Sequence, residues 1–258
     1  MTTHRSLPTA FYGPRNAVIR GRIVTPSTGL GPFPGVVMLP GDGPKGIKSE
    51  TWVKLPDMLA HRGLATFVFD FEGLGESEGD RRNLSLTVGL EDLRAAMAFV
   101  RARDEFDPNR IGLFGSSFGG NVAVLYANED PKLRCVGLKS PVSFYPDSFL
   151  CELGVDSFER WLRERFSPKL GFDLNFYMDA LQYNTYAAAS NIGCPCLVTH
   201  GSADETVPIS QSRHLKAAMQ RSVSCELRIL NGVGHSYSEP GAWATMANAF
   251  ASWFPMHI

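Results

Sequence analysis

Net charge of one sign, long apolar runs and abundant cysteine are all missing from this chain of 258 residues. Its 25 Lys and Arg residues nearly balance its 26 Asp and Glu residues, giving a formal net charge of −1. Proteins that bind nucleic acid or a membrane surface usually carry a basic face, so neither partner is expected. Apolar runs such as Ala95–Val100 reach six residues, whereas a membrane-spanning helix needs about 20.

The five cysteines are an odd number and too sparse for a disulfide framework, which favours a reducing cytoplasm. Cys194 and Cys196 lie two positions apart with no second pair nearby, so we expect structural thiols rather than a zinc site. The segment Met1–Ser6 has neither an apolar core nor a cleavage site. We therefore predict no signal peptide and a cytoplasmic location.

Short apolar runs alternate with helical patterns along most of the chain. The runs predict strands at Asn16–Val24, Gly35–Leu39, Ala65–Phe69, Ile111–Phe114, Val136–Leu138, Cys196–His200 and Leu227–Leu230. The patterns predict helices at Trp52–Gly63, Leu86–Arg103, Gly119–Asn128, Ser210–Gln220 and Trp243–Trp253. This order requires right-handed crossovers, and therefore an α/β fold with a mostly parallel sheet and helices on both faces. Sites in such sheets form where the carboxyl ends of the strands meet the loops.

One segment, residues 144–190, interrupts the alternation. It holds 11 of the 28 aromatic residues in 47 of the 258 positions and is predicted to be helical. We interpret it as an insertion into a single domain covering residues 1–258, forming a cap or lid over the sheet edge. Its aromatic side chains are expected to attach the insertion to the body, to line a substrate pocket, or both. Arg81 and Arg82 are expected to be solvated surface.

The motif Gly115-Ser116-Ser117-Phe118-Gly119 directly follows the strand Ile111–Phe114 and directly precedes a predicted helix. It matches G-x-S-x-G in the strand–turn–helix context of a nucleophile elbow. Neighbouring glycines let the backbone pass closely, while the nucleophile sits on a strained turn. The motif therefore predicts the hydroxyl of Ser117, and not that of Ser116, as a nucleophile above the sheet.

A serine hydroxyl is a weak nucleophile that needs a base, and the base needs an orienting acid. On a strand–turn–helix elbow the expected chain order is Ser, then Asp or Glu, then His. Asp204 follows the predicted strand that ends at His200, and His235 lies in a glycine-flanked loop after the next one. We predict Asp204 as the acid and His235 as the base, with a loop-capping carboxylate as the alternative for Asp204. His200 is expected to be a packed structural residue.

A tetrahedral intermediate also needs backbone donors for its oxyanion. One donor is expected to be the N–H of Phe118, the residue after the nucleophile. The other is expected from the loop after the strand Gly35–Leu39, near Asp42.

These stretches together resemble the α/β-hydrolase superfamily over nearly the whole chain. The resemblance is to its serine esterase, thioesterase and peptidase branch, including feruloyl-esterase-like and serine-aminopeptidase-like members. Besides the elbow and the loops of Asp204 and His235, it rests on Pro40–Gly43 and on Asp70–Ser77, which looks like a D-x-x-G-x-G-x-S loop. The resemblance implies these roles: nucleophile, Ser117; base, His235; acid, Asp204; oxyanion hole, Asp42 and Phe118.

One departure concerns the loop that follows the first parallel strand. Many relatives have His-Gly where this chain has Pro40-Gly41. Because the oxyanion donor is a backbone group, the proline does not exclude an oxyanion hole. A carboxylate at Asp42 would repel the developing anion unless its side chain turns away, so the donor stays open between Asp42 and Gly43.

The sequence thus predicts a serine hydrolase that cleaves a carboxylic ester of an acyl or aryl type through a covalent acyl-serine intermediate. The expected substrate is a small acyl compound, no cofactor or metal ion is needed, and a homodimer is left open. A thioesterase, an acyltransferase or an aminopeptidase would use the same three residues. A ligand-binding protein whose triad no longer turns over would share the fold.

Overall fold

An eight-stranded sheet organises residues 4–258, the part of the chain that the computed structural model describes. The prediction of no signal peptide rests on Met1–Ser6, of which Met1–Thr3 lie outside the described residues. Among the helices of residues 4–258, none is long and apolar enough to cross a membrane.

The sheet has the strand order β1-β2-β4-β3-β5-β6-β9-β10. Its strands are β1 (His4–Tyr12), β2 (Val18–Pro26), β3 (Phe33–Leu39), β4 (Ala65–Phe69), β5 (Phe106–Ser116), β6 (Val136–Lys139), β9 (Cys196–Gly201) and β10 (Cys225–Leu230). A separate small hairpin pairs β7 (Phe166–Ser167) with β8 (Phe172–Asp173). In sheet order from β4 to β10 all neighbouring strands are parallel, and β2 runs antiparallel to both of its neighbours, β1 and β4. The predicted, mostly parallel sheet is confirmed.

Helices cover both faces of this sheet. They are α1 (Glu50–Ala60), α2 (Leu86–Arg101), α3 (Phe118–Glu129), α4 (Tyr145–Leu153), α5 (Val155–Glu164), α6 (Leu174–Ala180), α7 (Thr185–Ala189), α8 (Ile209–Ala218) and α9 (Ala242–His257). The core residues of α1 and α9 pack against one face of the sheet, and those of α2, α3 and α8 against the other. The start of α2 is fixed by Ser85, whose hydroxyl accepts the N–H of Val88 at 3.1 Å.

Every predicted strand and helix is present with shifts at its ends, but three strands were not predicted. Two of them, β7 and β8, form the hairpin of the insertion, which was predicted to be helical. Strand β1 pairs antiparallel with β2 at the edge of the sheet. None of its residues is buried, and Arg5–Pro8 are all exposed, so it lacks the apolar pattern that marks a buried strand. It also contains Pro8, which an edge strand tolerates because one side of the backbone needs no partner.

The insertion, residues 144–190, leaves the sheet after β6 and returns at β9, the next strand along the sheet. It contains α4 to α7 and the β7–β8 hairpin. Its aromatic rings pack mainly on one another: Phe149 lies 4.9 Å from Trp161, and Phe172 stacks on Phe176 at 4.9 Å between ring centroids. Phe176 also reaches Phe118 of α3 at 5.9 Å. Most of the aromatic surplus therefore forms the insertion's own core and its attachment to the body.

The turn between β5 and α3 is a close backbone contact. A Cβ atom at Gly119 would overlap the carbonyl oxygens of Leu39 and Pro40 at the end of β3. A Cβ at Gly115 would overlap the backbone of Gly119 in the same way. Only glycine lets the first turn of α3 approach the strand ends this closely.

Replacing Gly119 by Ala should therefore lower the free energy of unfolding by about 3 kcal/mol or more, because backbone and not a flexible side chain must move. Gly193→Ala is the matched control, since a Cβ there meets nothing within 4 Å and should change stability by less than about 1 kcal/mol. Urea unfolding of both variants measures the difference. Equal stabilities would contradict the account of this contact.

Candidate active site

Ser117 lies between β5 and α3 in a strained backbone conformation, with φ 52° and ψ −117°. Its N–H donates to the carbonyl of Lys139 on β6 at 3.1 Å. Its carbonyl accepts the N–H groups of Gly120 at 3.0 Å and Asn121 at 3.1 Å. Such conformations persist only where the surrounding structure holds them firmly, and they concentrate at functional sites.

Asp204 and His235 are joined by a hydrogen bond at the ends of the neighbouring strands β9 and β10. The Oδ2 atom of Asp204 lies 2.7 Å from Nδ1 of His235. Its other oxygen accepts the N–H groups of Thr206 at 3.0 Å and Val207 at 2.8 Å. Because an ionised carboxylate only accepts, Nδ1 carries the proton and Nε2 is left as a base. The structure shows no hydrogen bond from Ser117 to His235 within residues 4–258.

His200 adds a second imidazole to the same carboxylate. Its Nε2 lies 3.2 Å from Oδ2 of Asp204 and 3.0 Å from the carbonyl of Val207, and its side chain is fully buried. Burial raises the pKa of Asp204, but hydrogen bonds from His200, His235 and the backbone outweigh burial and hold that pKa well below its ordinary value. His200 is packed, as predicted, but the sequence reasoning missed its contact with Asp204. The available signal was its place at the end of the strand before the acid.

Lys139 at the end of β6 is a buried cation that connects Ser117 to the loop of His235. Its backbone carbonyl holds the N–H of Ser117, and its Nζ donates to the carbonyl of His235 at 3.0 Å. The ammonium lies 4.3 Å from the ring centroid of Tyr237, a cation–π contact. Burial lowers the pKa of Lys139 to about 8, although the charge of Asp204 opposes the shift. Sequence reasoning missed Lys139, because a lysine after three apolar residues resembles the exposed end of a strand.

The loop after β3 lies against Ser117 and contains N–H groups without a backbone partner. A Cβ atom at Gly41 would lie 3.1 Å from Cβ of Ser117, so the loop touches the serine with no side chain between them. Within residues 4–258 the N–H groups of Asp42, Gly43 and Phe118 have no backbone partner. The structure thus leaves both Asp42 and Gly43 available as donors, together with Phe118.

The Asp42 side chain, which raised the question of repulsion, faces a guanidinium. Its Oδ2 lies 3.7 Å from Nη2 of Arg81, and its backbone carbonyl accepts Nη1 of Arg81 at 2.5 Å. The prediction that Arg81 is solvated surface is wrong, since its side chain is only 32% exposed. The sequence showed two adjacent arginines in a polar loop and gave no sign of a partner 39 positions away.

The D-x-x-G-x-G-x-S stretch, Asp70–Ser77, binds the segment that follows β3. The carboxylate of Asp70 accepts the N–H of Ile47 at 2.8 Å and that of Glu76 at 3.1 Å. Gly46 and Gly75 wrap around this carboxylate, and a Cβ at either position would overlap its oxygens. Burial raises the pKa of Asp70 even though both N–H groups oppose the shift. The stretch therefore ties the ends of β3 and β4 together.

A cavity of about 510 Å³ opens beside His235. Its wall includes Gly41, Asp42, Trp52, Lys139, Glu152 and Trp243. Only Glu152 among these comes from the insertion. The insertion's rings Tyr145, Phe149 and Phe176 border a much smaller recess of about 20 Å³ next to Phe118. The aromatic residues of the insertion thus contribute little to the wall of the larger cavity, while the loop after β3 contributes the largest share of it.

The cysteines lie away from this cavity. All five are free thiols, and Cys135 and Cys196 are buried. Between residues 4 and 258 no group of three or more His, Cys, Asp or Glu side chains is arranged to hold a metal ion.

Comparison with known proteins gives a family and a fold. The sequence model of the prolyl oligopeptidase family, Peptidase_S9, matches residues 54–258. The quorum-quenching protein AidA of Acinetobacter baumannii is 33% identical over 124 residues, covering 48% of this chain and 39% of AidA. The uncharacterized protein YfhR of Salmonella typhi is 28% identical over 218 residues, covering 82% of this chain and 63% of YfhR. The chain therefore spans less than two thirds of the length of either relative.

Several solved structures share the architecture. Est1E from Butyrivibrio proteoclasticus, with ferulic acid bound, has a TM-score of 0.81 at 18% identity, covering 96% of this chain and 98% of Est1E. The α/β hydrolase GrgF from Penicillium has a TM-score of 0.76 at 18% identity, covering 98% and 99%. The esterase Pf2001 from Pyrococcus furiosus has a TM-score of 0.75 at 16% identity, covering 99% and 92%. These similarities show the α/β-hydrolase fold.

The buried ammonium of Lys139 should appear in the pH dependence of stability. Because its pKa falls from 10.5 to about 8 on folding, the unfolded chain binds a proton between these values that the folded chain has released. The free energy of unfolding should therefore rise with pH in this window, by up to about 3 kcal/mol. Lys139→Met should remove that rise, as measured by urea unfolding from pH 7 to 10. A difference between wild type and variant that does not change with pH would contradict the assignment.

Proposed function

The chain belongs to the prolyl oligopeptidase family of serine hydrolases, and from this membership we propose that it cleaves a carboxylic ester through an acyl intermediate on Ser117. The observation that carries the proposal is the 2.7 Å hydrogen bond between Asp204 and His235 at strand ends near the strained serine. Ser, Asp and His in this chain order on separate strand ends form the arrangement that activates a serine hydroxyl.

In the proposed acylation, Nε2 of His235 takes the proton of Ser117 while Oγ attacks the carbonyl carbon of the ester. Asp204 stays ionised and holds the Nδ1 proton, which stabilises the imidazolium that forms. The imidazolium then gives its proton to the leaving alkoxide, and the acyl group stays on Ser117. Water, deprotonated by His235, attacks the acyl-enzyme and releases the acid.

The negative oxygen of both tetrahedral intermediates needs preorganised donors. We assign this role to the N–H of Phe118 and to the N–H of Asp42 or Gly43, which lack backbone partners among the described residues. Phe118 stands at the first position of α3, where the helix dipole also favours negative charge. The guanidinium of Arg81 beside Asp42 offsets the carboxylate that would otherwise oppose the oxyanion.

We propose that a small acyl compound occupies the cavity beside His235, whose wall also includes Gly41 and Ser116, next to Ser117. The cavity of about 510 Å³ lies within the range of small-molecule sites, and Trp52 and Trp243 give it apolar walls. We propose that the insertion acts as a cap on this cavity, since Glu152 reaches its wall. The similarity to Pf2001, an esterase, and to Est1E, which was solved with ferulic acid bound, supports an ester substrate.

A second candidate is an aminopeptidase on the same three residues. It is favoured by the carboxylate of Glu152, which lines the cavity and has no ion-pair partner among residues 4–258. Burial raises the pKa of this carboxyl, and the nearby charge of Asp42 raises it further. A protonated amine on the substrate would compensate for both effects. The family's name, prolyl oligopeptidase, also fits this candidate.

Ser117→Ala should reduce hydrolysis of p-nitrophenyl acetate by about 1000-fold or more, because no other hydroxyl can form the acyl intermediate. Ser116→Ala is the matched control, as it removes the adjacent hydroxyl and should keep activity within about 10-fold. Initial rates of p-nitrophenol release measure both. Full activity in the Ser117 variant would show that the assignment is wrong.

The bond type is decided by comparing an aryl ester, an acyl thioester and an aminoacyl amide on one preparation. The ester proposal expects the highest kcat/KM for the aryl ester, by at least about 10-fold. A higher kcat/KM for the aminoacyl amide would replace it with the aminopeptidase. Faster thioester cleavage would point to a thioesterase.

A further inference from the structure

Arg81 joins the proposed oxyanion loop to the insertion through one guanidinium. Its Nη1 donates to the carbonyl of Asp42 at 2.5 Å, and Nη2 lies 3.7 Å from the carboxylate of the same residue. Its Nε and Nη2 both donate to the carbonyl of Leu170 in the insertion, at 3.1 and 3.0 Å. The guanidinium also covers the ring of Phe172, 4.6 Å from its centroid. A loop beside the nucleophile and the hairpin of the insertion are thus held by the same side chain.

The structure around Arg81 fixes where this guanidinium lies. Arg81 begins a short 3-10 turn, Arg81–Asn83. Its backbone packs against Gly73, where a Cβ atom would lie 2.9 Å from the N atom of Arg81. At the far end, Gly171 has a positive φ of 75°, and a Cβ there would lie 3.0 Å from Nε of Arg81. Gly73 therefore fixes the backbone of Arg81, and Gly171 lets the chain of the insertion approach the guanidinium closely.

Anchoring the Asp42 carbonyl sets the direction of an oxyanion donor. A trans peptide unit is planar, so its C=O and N–H point in opposite directions. Once Arg81 holds the carbonyl of Asp42, the N–H of Gly43 in the same unit must point away from Arg81. The same guanidinium compensates the Asp42 carboxylate, which belongs to the same residue as one of the proposed donors.

We infer that Arg81 is a positioning residue: it orients the Asp42–Gly43 peptide for the tetrahedral intermediate and makes that orientation depend on the docked insertion. This inference rests on the proposed serine hydrolysis and deepens it. Two carbonyls, one carboxylate and one ring are engaged at once, which the planar fork of arginine can do. The point charge of a lysine cannot hold both carbonyls in the same way.

Arg82 provides the matched comparison within the same turn. It also binds the insertion, through the carboxylate of Asp173 at 3.0 Å and the ring of Phe166, 4.9 Å from its centroid. It makes no contact with Asp42, and its side chain is 57% exposed. Loss of Arg82 therefore removes a cation that attaches the insertion without touching the proposed oxyanion loop.

The test compares Arg81→Met, Arg81→Lys and Arg82→Met, with rates per active site counted from the burst of p-nitrophenol. Arg81→Met should lower kcat about 10- to 100-fold and change KM less than about 3-fold, because misplaced donors weaken only the tetrahedral state. The inhibition constant of phenylboronic acid, which forms a tetrahedral adduct with serine, should rise by a similar factor. Arg81→Lys should lose about 10-fold in kcat, and Arg82→Met should keep kcat within about 3-fold.

A purely structural role for Arg81 would reduce the number of active sites or the melting temperature while leaving kcat per site and boronate inhibition unchanged. That result, or equal losses in Arg81→Met and Arg82→Met, overturns the inference. If Arg81→Met does not fold, Arg81→Lys decides, since wild-type kcat and boronate inhibition in that variant also overturn it. Failure of the wild type to hydrolyse p-nitrophenyl acetate would instead count against the proposed function.

Discussion

The carboxyl edge of the sheet depends on one close backbone contact, in which the first turn of α3 packs against the ends of β3 and β5 without a side chain between them. Gly119 contacts the carbonyls at the end of β3. Gly41, in the loop after β3, lies directly against Ser117. This contact forces the serine into its positive-φ conformation and brings the unpaired N–H groups of two different loops to the same place. A larger residue at either glycine would separate the nucleophile from the groups proposed to stabilise its intermediate.

Charged side chains that are buried or partly buried hold the loops of the site in place. The carboxylate of Asp204 contacts two imidazoles and accepts two backbone N–H groups, so its negative charge is stabilised despite burial. Lys139 binds the backbone of Ser117 through its carbonyl and the backbone of His235 through its ammonium, and so joins the two loops. Arg81 likewise joins two segments, because it binds the carbonyl of Asp42 and a carbonyl of the insertion. The proposed chemistry therefore rests on loops that are held by charged side chains, buried or partly buried, from other parts of the fold.

The sequence predicted the sheet and the positions of Ser117, Asp204 and His235 because both depend on local signals. Apolar runs mark buried strands, and the residues after each run mark the strand ends. The contacts of Arg81, Lys139 and His200 could not be predicted, since each joins segments whose distance depends on the assembled fold. Strand β1 was missed because an exposed edge strand needs no apolar pattern. The aromatic surplus of the insertion was visible, but composition alone could not separate rings that pack on one another from rings that line a cavity.

The central claim is that the fold activates one serine, and labelling with a fluorophosphonate probe tests it most directly. The probe reacts with serines that are activated by a base and served by an oxyanion hole. The account predicts stoichiometric labelling of the folded protein, located by peptide mass spectrometry at Ser117, and loss of labelling after heat unfolding. Absence of labelling in the folded protein, or a label on Ser116 instead, would contradict it.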